Sequence, residues 1–143
     1  MHQRLKYGYN NLIYFVSLCD WIYKDARPHF TIPPNEKAFH KFINDCETEF
    51  ETQKSFDDLR SEKHKRLHFD FYLPEYKILI EIDGPEHFKH TKSRISDTLK
   101  ELYCNKFKLK LYRFDNTATF DDYLKIFDDP IDDKYVYKIG KNY

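Results

Sequence analysis

Asp70, Glu81, Asp83 and His87 are the residues of this chain whose types and spacing could do chemistry together. Side chains alternate along an extended strand, so Lys77, Leu79, Glu81 and Asp83 share one face and Ile78, Ile80 and Ile82 the other. Two carboxylates at the end of an otherwise apolar strand are costly to bury without a cation. Asp70, flanked by Phe69 and Phe71, comes near Glu81 if Pro74-Glu75-Tyr76 folds the chain into a hairpin. Three hard oxygen donors suit Mg²⁺ or Mn²⁺ better than zinc. Such an ion can activate a water, neutralise a phosphate oxygen and stabilise a leaving oxygen. His87, beyond Gly84-Pro85, could take or give the proton. Asp97 could orient that imidazole, and Lys100 could meet a phosphate.

Each of these residues taken singly has a plainer reading. An acid ending a strand is a solvated end, a histidine in a turn is a surface residue, and Asp97 complements a helix N-terminus. The conjunction of paired acids, glycine break and histidine is what points to a site.

The elements that must position these groups follow from periodicity. Apolar residues from Leu12 to Tyr23, with Cys19 and Trp21 among them, recur at helical spacing over 9–24. Arg27-Pro28 and Pro33-Pro34 mark an extended connector. Asn35 is placed to cap a helix carrying Glu36, Phe39, Phe42, Ile43 and Cys46. Strands are expected over Glu49 to Phe56, Leu67 to Leu73 and Lys77 to Asp83, with Asp57 to Arg66 a charged loop or hairpin tip. A helix over 93–105 turns Ile95, Leu99, Leu102 and Tyr103 inward. A strand over Phe107 to Phe114, a helix over Phe120 to Phe127 and a short edge strand over Val136 to Ile139 complete the pattern. The order is α/β around a mixed sheet, in one domain over 1–143: a core over 34–115, a helical extension over 1–33 and a further extension over 116–143.

Composition bounds the class. The 24 Lys+Arg balance the 24 Asp+Glu, so no global basic field advertises a polyanion and local patches would have to attract it. Three scattered cysteines without CxxC spacing argue against a zinc site and a disulfide framework. No apolar run is long enough to span a membrane, and no signal-peptide core follows Met1. A soluble, intracellular protein is expected.

The segments Phe69-Asp70-Phe71-Tyr72-Leu73-Pro74, Ile80-Glu81-Ile82-Asp83-Gly84-Pro85-Glu86-His87-Phe88 and Asp97-Thr98-Leu99-Lys100 resemble the very-short-patch-repair (Vsr-like) and related phage homing endonucleases of the PD-(D/E)xK superfamily. The similarity spans Glu36 to Phe114 and includes Gln53-Lys54-Ser55-Phe56. It implies a restriction-endonuclease-like αβββαβ core and a Mg²⁺- or Mn²⁺-dependent endonuclease acting on DNA. On that pattern Asp70, Glu81 and Asp83 are the expected metal ligands, and His87, Asp97, Glu36 and Lys100 the catalytic set. Asp83 stands where the superfamily has lysine, so the missing cation must come from elsewhere, with His87 or Lys100 the candidates. DNA contacts are expected from Gln53, Lys54, Lys63, Lys65, Arg66, Lys89, Lys92 and Arg94, with Lys108 and Lys110 further candidates. A binding module with the nuclease fold but no catalysis, a subunit of a repair or recombination assembly, is the alternative. Whether the chain forms a homodimer or joins a larger assembly stays open.

Overall fold

Two tight turns and two helix-bearing connections join the strands of a five-stranded mixed sheet in the computed structural model, which describes residues 34–89, 91–128 and 133–143. The helix expected over 9–24 lies outside these residues. The elements are α1 (Pro34–Asp45), β1 (Glu51–Arg60), β2 (Arg66–Leu73), β3 (Ile78–Asp83), a 3₁₀ turn (Pro85–Lys89), α2 (Thr91–Phe107), β4 (Lys110–Asp115), α3 (Phe120–Tyr123) with a 3₁₀ turn (Leu124–Phe127), and β5 (Val136–Ile139). Strands lie in the order β1-β2-β3-β4-β5, with β1, β2 and β3 antiparallel and β3, β4 and β5 parallel. The fold is therefore mixed α/β. No helix among the described residues is long and apolar enough to cross a membrane.

Contacts divide the chain into two compact units. In one, α1 packs with the α3 segment; the other holds the sheet and α2. α1 starts at Pro34, one residue before the expected Asn35 cap, as suits a proline in a helix's first turn. It buries Phe39, Phe42 and Ile43 completely, each stabilising by about 1.5–3 kcal/mol. Tyr123 meets Phe39 edge-on at 5.1 Å, and Phe120 stacks on Phe42 at 6.5 Å. A Thr119/Asp122 capping box starts α3. The helix expected over Phe120 to Phe127 is one α turn that tightens into 3₁₀ at Leu124.

In the sheet unit, β2 and β3 form the expected hairpin, paired at Leu73↔Ile78, Tyr72↔Leu79 and Phe71↔Ile80. The ladder stops there because Asp70 intrudes: its Oδ2 accepts the Ile82 N–H at 2.8 Å, where a backbone carbonyl would otherwise stand. Across the β1 side, Gln53 takes a left-handed φ of 51° between the pairs Thr52↔Phe71 and Lys54↔Phe69. The irregularity separates two phenylalanines that strict alternation puts on one face. Phe69 packs with Leu59, Leu79, Cys104 and Leu111, whereas Phe71 pairs with Ile80 and meets Phe50.

Three further sequence expectations change. β1 runs on to Arg60, so only 61–65 form the tip, closed by Ser61 N–H donating to Lys65 O at 2.8 Å. α2 ends at Phe107 with Lys108 left-handed (φ 57°) and Leu109 N–H bonded to Cys104 O, a helix stop made without glycine, so β4 begins at Lys110. And α2 does not turn Ile95 and Leu102 inward: they are 40% and 61% exposed, while Lys100 is buried at 9%.

Candidate active site

β3 places Glu81 and Asp83 on one face, and β4 sets Arg113 beside Glu81 in the parallel ladder. Asp70 reaches the same place from the ladder break in β2. Above them α2 presents Asp97, Lys100 and Cys104, three and four residues apart and hence on one side of the helix. Glu81, Asp83, Lys100 and Arg113 are all buried. A helix that leaves Ile95 and Leu102 in solvent while burying a lysine is arranged for that lysine's charge, since buried polar groups are the informative exception.

These groups form two adjoining sets. In the first, Lys100 Nζ donates to Glu81 Oε1 at 2.6 Å and lies 5.3 Å from the Phe69 ring centroid. Burial, above all, pushes the Glu81 carboxyl up to about 8; Lys100 opposes that shift and neighbouring Asp70 adds to it. Burial likewise raises Asp70, against the Ile82 N–H and the Lys100 charge. Two carboxylates side by side with one ammonium between them are short of positive charge.

In the second set Arg113 grips Asp83 with both arms of its fork, Nε to Oδ2 at 3.0 Å and Nη2 to Oδ1 at 3.1 Å. The same Nη2 donates to Asp97 Oδ1 at 2.6 Å. Asp97 Oδ2 in turn holds His87 Nε2 at 2.6 Å, and Nδ1 lies 3.5 Å from Asp83 Oδ1. The Tyr143 hydroxyl donates to Asp83 Oδ2 at 2.5 Å. Carboxylates on three sides keep the Arg113 guanidinium charged despite its burial.

An open cleft of about 520 Å³ runs over the first set. Its floor carries Glu81, His87, Asp97 and Lys100, and its rim Lys63, Lys65 and Arg66 from the β1–β2 tip. Comparison with protein-family models, curated proteins and solved structures gives no match to this chain. Its site stands on its own geometry.

The structure brings together Asp70, Glu81 and Lys100, and beside them Asp83, His87 and Asp97. Asp83 is turned to Arg113 and Tyr143 and not toward the Asp70–Glu81 pair, so the three acids do not make a single cage; among the described residues no group of three or more acidic, His or Cys side chains is arranged to hold a metal. Asp70 and Glu81 remain as neighbouring oxygen donors, Glu81 of them lining the cleft. Glu36 lies in the first turn of α1, in the other unit.

Of the expected nucleic-acid contacts, Lys63, Lys65 and Arg66 line the cleft, with Arg66 also paired to Asp57. Gln53 instead sits beside the Asp70 carboxylate and acts to lower its pKa. Lys54 lies over the Phe56 and Tyr72 rings and pairs with Glu51. Arg94 lines a second, smaller cleft of about 330 Å³ with Tyr143 and Lys138. Lys89 and Lys92 fall in the 3₁₀ turn and the first turn of α2, their side chains outside the described residues. Lys108 stands at the helix stop with its backbone left-handed, and Lys110 reaches Tyr137 on β5.

Sequence reasoning missed Arg113 and Tyr143. Arg113 carried a signal: it shares strand parity with the core residues Leu109 and Leu111, an odd place for a charge. Tyr143 carried none, because only the chain path through β5 brings it to Asp83.

Proposed function

We propose that the sheet unit is a metal-dependent endonuclease with a restriction-endonuclease-like core of the PD-(D/E)xK type, hydrolysing DNA phosphodiester bonds. The observation that carries this reading is Lys100: buried on α2, it meets Glu81 beside Asp70 at the floor of a cleft rimmed by Lys63, Lys65 and Arg66. The lysine missing after Glu81 in sequence is thereby supplied from the helix, so acid, acid and ammonium are all present.

Asp70 and Glu81 fit a Mg²⁺ or Mn²⁺ ion, since both are hard oxygen donors whose burial leaves their negative charge undercompensated. When bound, such an ion would supply charge neutralisation and water activation. The chain's own groups do the rest. Lys100 faces Glu81 and can meet a phosphate oxygen from the same floor. With Nε2 donating to Asp97, the neutral His87 ring carries its lone pair on Nδ1 and can accept a proton there. Lys63, Lys65 and Arg66 hold flanking phosphates without reading bases.

One observation favours the alternative, a nucleic-acid-binding module without catalysis: Asp83 is committed to Arg113 and Tyr143, which leaves two carboxylates for the ion. Plasmid nicking with Mg²⁺ or Mn²⁺ separates the two readings. Wild type should nick, whereas Asp70→Ala, Glu81→Gln and His87→Ala should fall by at least about a hundredfold. Salt-sensitive DNA binding without nicking under either metal would leave the binding module.

A further inference from the structure

Two neighbouring segments converge on the histidine from outside the cleft. Asp115, ending β4, accepts Thr117 N–H at 2.8 Å through Oδ1 and Asn142 N–H at 2.7 Å through Oδ2. Thr117 Oγ1 accepts Lys141 N–H at 2.9 Å. Gly140 passes so close beneath, with φ +141°, that a Cβ would stand 2.0 Å from Asp115 Oδ1. Residues 140–143 are thus strapped to the end of β4. The strap ends in Tyr143, whose hydroxyl binds Asp83 at 2.5 Å and whose ring meets Phe88 edge-on at 5.3 Å. Phe88 follows His87 and packs against its ring at 5.4 Å.

We propose that Tyr143 and Arg113 are positioning residues for His87. Arg113 ties Asp83 on β3 to Asp97 on α2, the two carboxylates that face the imidazole's two nitrogens. Tyr143 completes the Asp83 side, and through Phe88 it braces the turn that carries the histidine. Neither residue lies among those lining the larger cleft, so neither touches substrate there. Arg113 lines the smaller cleft together with Tyr143, Phe88 and Asp97, on the other side of the His87–Asp97 pair. The ring is thereby held with Nε2 against Asp97 and Nδ1 on the Asp83 side, where it can accept a proton. This inference rests on the endonuclease reading only where it concerns rate.

Tyr143→Phe removes the hydroxyl and keeps the ring on Phe88. Expected results are a roughly tenfold fall in kcat for plasmid nicking, the size usual for losing an orienting partner, with KM for DNA and Mg²⁺-induced thermal stabilisation unchanged. In a His87→Ala background the same substitution should cost nothing further, because a positioning residue acts only through what it positions. Arg113→Lys keeps the charge but loses the fork, and should lower kcat without rescuing the two-carboxylate bridge. The His87 ring ¹⁵N signals, which need no activity, should move in both variants at constant pH. An unchanged ¹⁵N signature in both, or an equal fractional loss with and without His87, overturns the proposal. A wild type that nicks no DNA overturns the endonuclease reading, and the ¹⁵N signals then decide the positioning role alone.

Discussion

Lys100 Nζ, delivered by α2, stands 2.6 Å from Glu81 Oε1 on β3, both groups nearly withdrawn from water. Removing one member of such a pair strands the other, whereas removing both leaves an ordinary core. Lys100→Met is therefore expected to abolish nicking and to destabilise the fold, by up to about 3–5 kcal/mol where Glu81 is forced to ionise and less where it takes up a proton. Adding Glu81→Gln should recover most of that stability and none of the activity. Urea denaturation of the two variants with parallel nicking measures both.

Glu81 also makes stability depend on pH. Its ordinary value is 4.5 and the folded protein holds it near 8. Between these limits the folded state binds more protons than the unfolded chain, so stability falls as pH rises. The contribution is fully present below about 4.5 and lost above about 8, with a slope of at most about 1.4 kcal/mol per pH unit. Asp70, raised in the same direction, adds to the fall. Thermal melts across this range should show the decline in chelator, a shallower one in Mg²⁺, and a reduced one in Glu81→Gln.

Asp115 works with the opposite sign. Burial would raise it, but hydrogen bonds from Thr117 and Asn142 outweigh burial and hold it below its ordinary 3.8. Its contribution is present above that value and lost on acidification. Asp115→Asn should lower the melting temperature at pH 7 and narrow the gap to wild type below pH 3.

The two described glycines with room to compare should respond differently. Gly84→Ala introduces a Cβ with nothing within 4 Å and should change stability by less than about 0.5 kcal/mol. Gly140→Ala meets the Asp115 carboxylate at 2.0 Å in a left-handed backbone and should cost about 1–3 kcal/mol. It should also weaken the Tyr143 contact with Asp83. Denaturation midpoints of the two variants check the contrast.

At the cleft rim, Lys63→Ala and Lys65→Ala should weaken DNA binding about equally for all sequences and flatten its salt dependence by about one unit of slope each. Lys54→Ala, whose ammonium is spent over two aromatic rings, should leave that slope unchanged. Fluorescence anisotropy at several salt concentrations, in Ca²⁺ or chelator, measures this without cleavage.

Period-two alternation in Ile78–Asp83 was enough to put Glu81 and Asp83 on one face, and the short turn after Leu73 was enough to make the hairpin, because both depend on neighbours within a few residues. The same locality misled for α2. Leucine and isoleucine spacing predicted an inward Ile95 and Leu102, while the helix instead turned its Asp97–Lys100–Cys104 side to the sheet, where buried carboxylates awaited a cation. Alternation in β2 failed at Asp70 for a related reason, since its side chain displaced a ladder hydrogen bond.

The sequence by itself determined the acids, the histidine and the hairpin that brings Asp70 near Glu81. Only the tertiary structure decided which cation each acid meets: Lys100 for Glu81 and Arg113 for Asp83. A parallel crossover through a 17-residue helix into β4 brought those partners from 19 and 30 residues away. Charge pairing across such distances follows chain topology, which local periodicity does not encode.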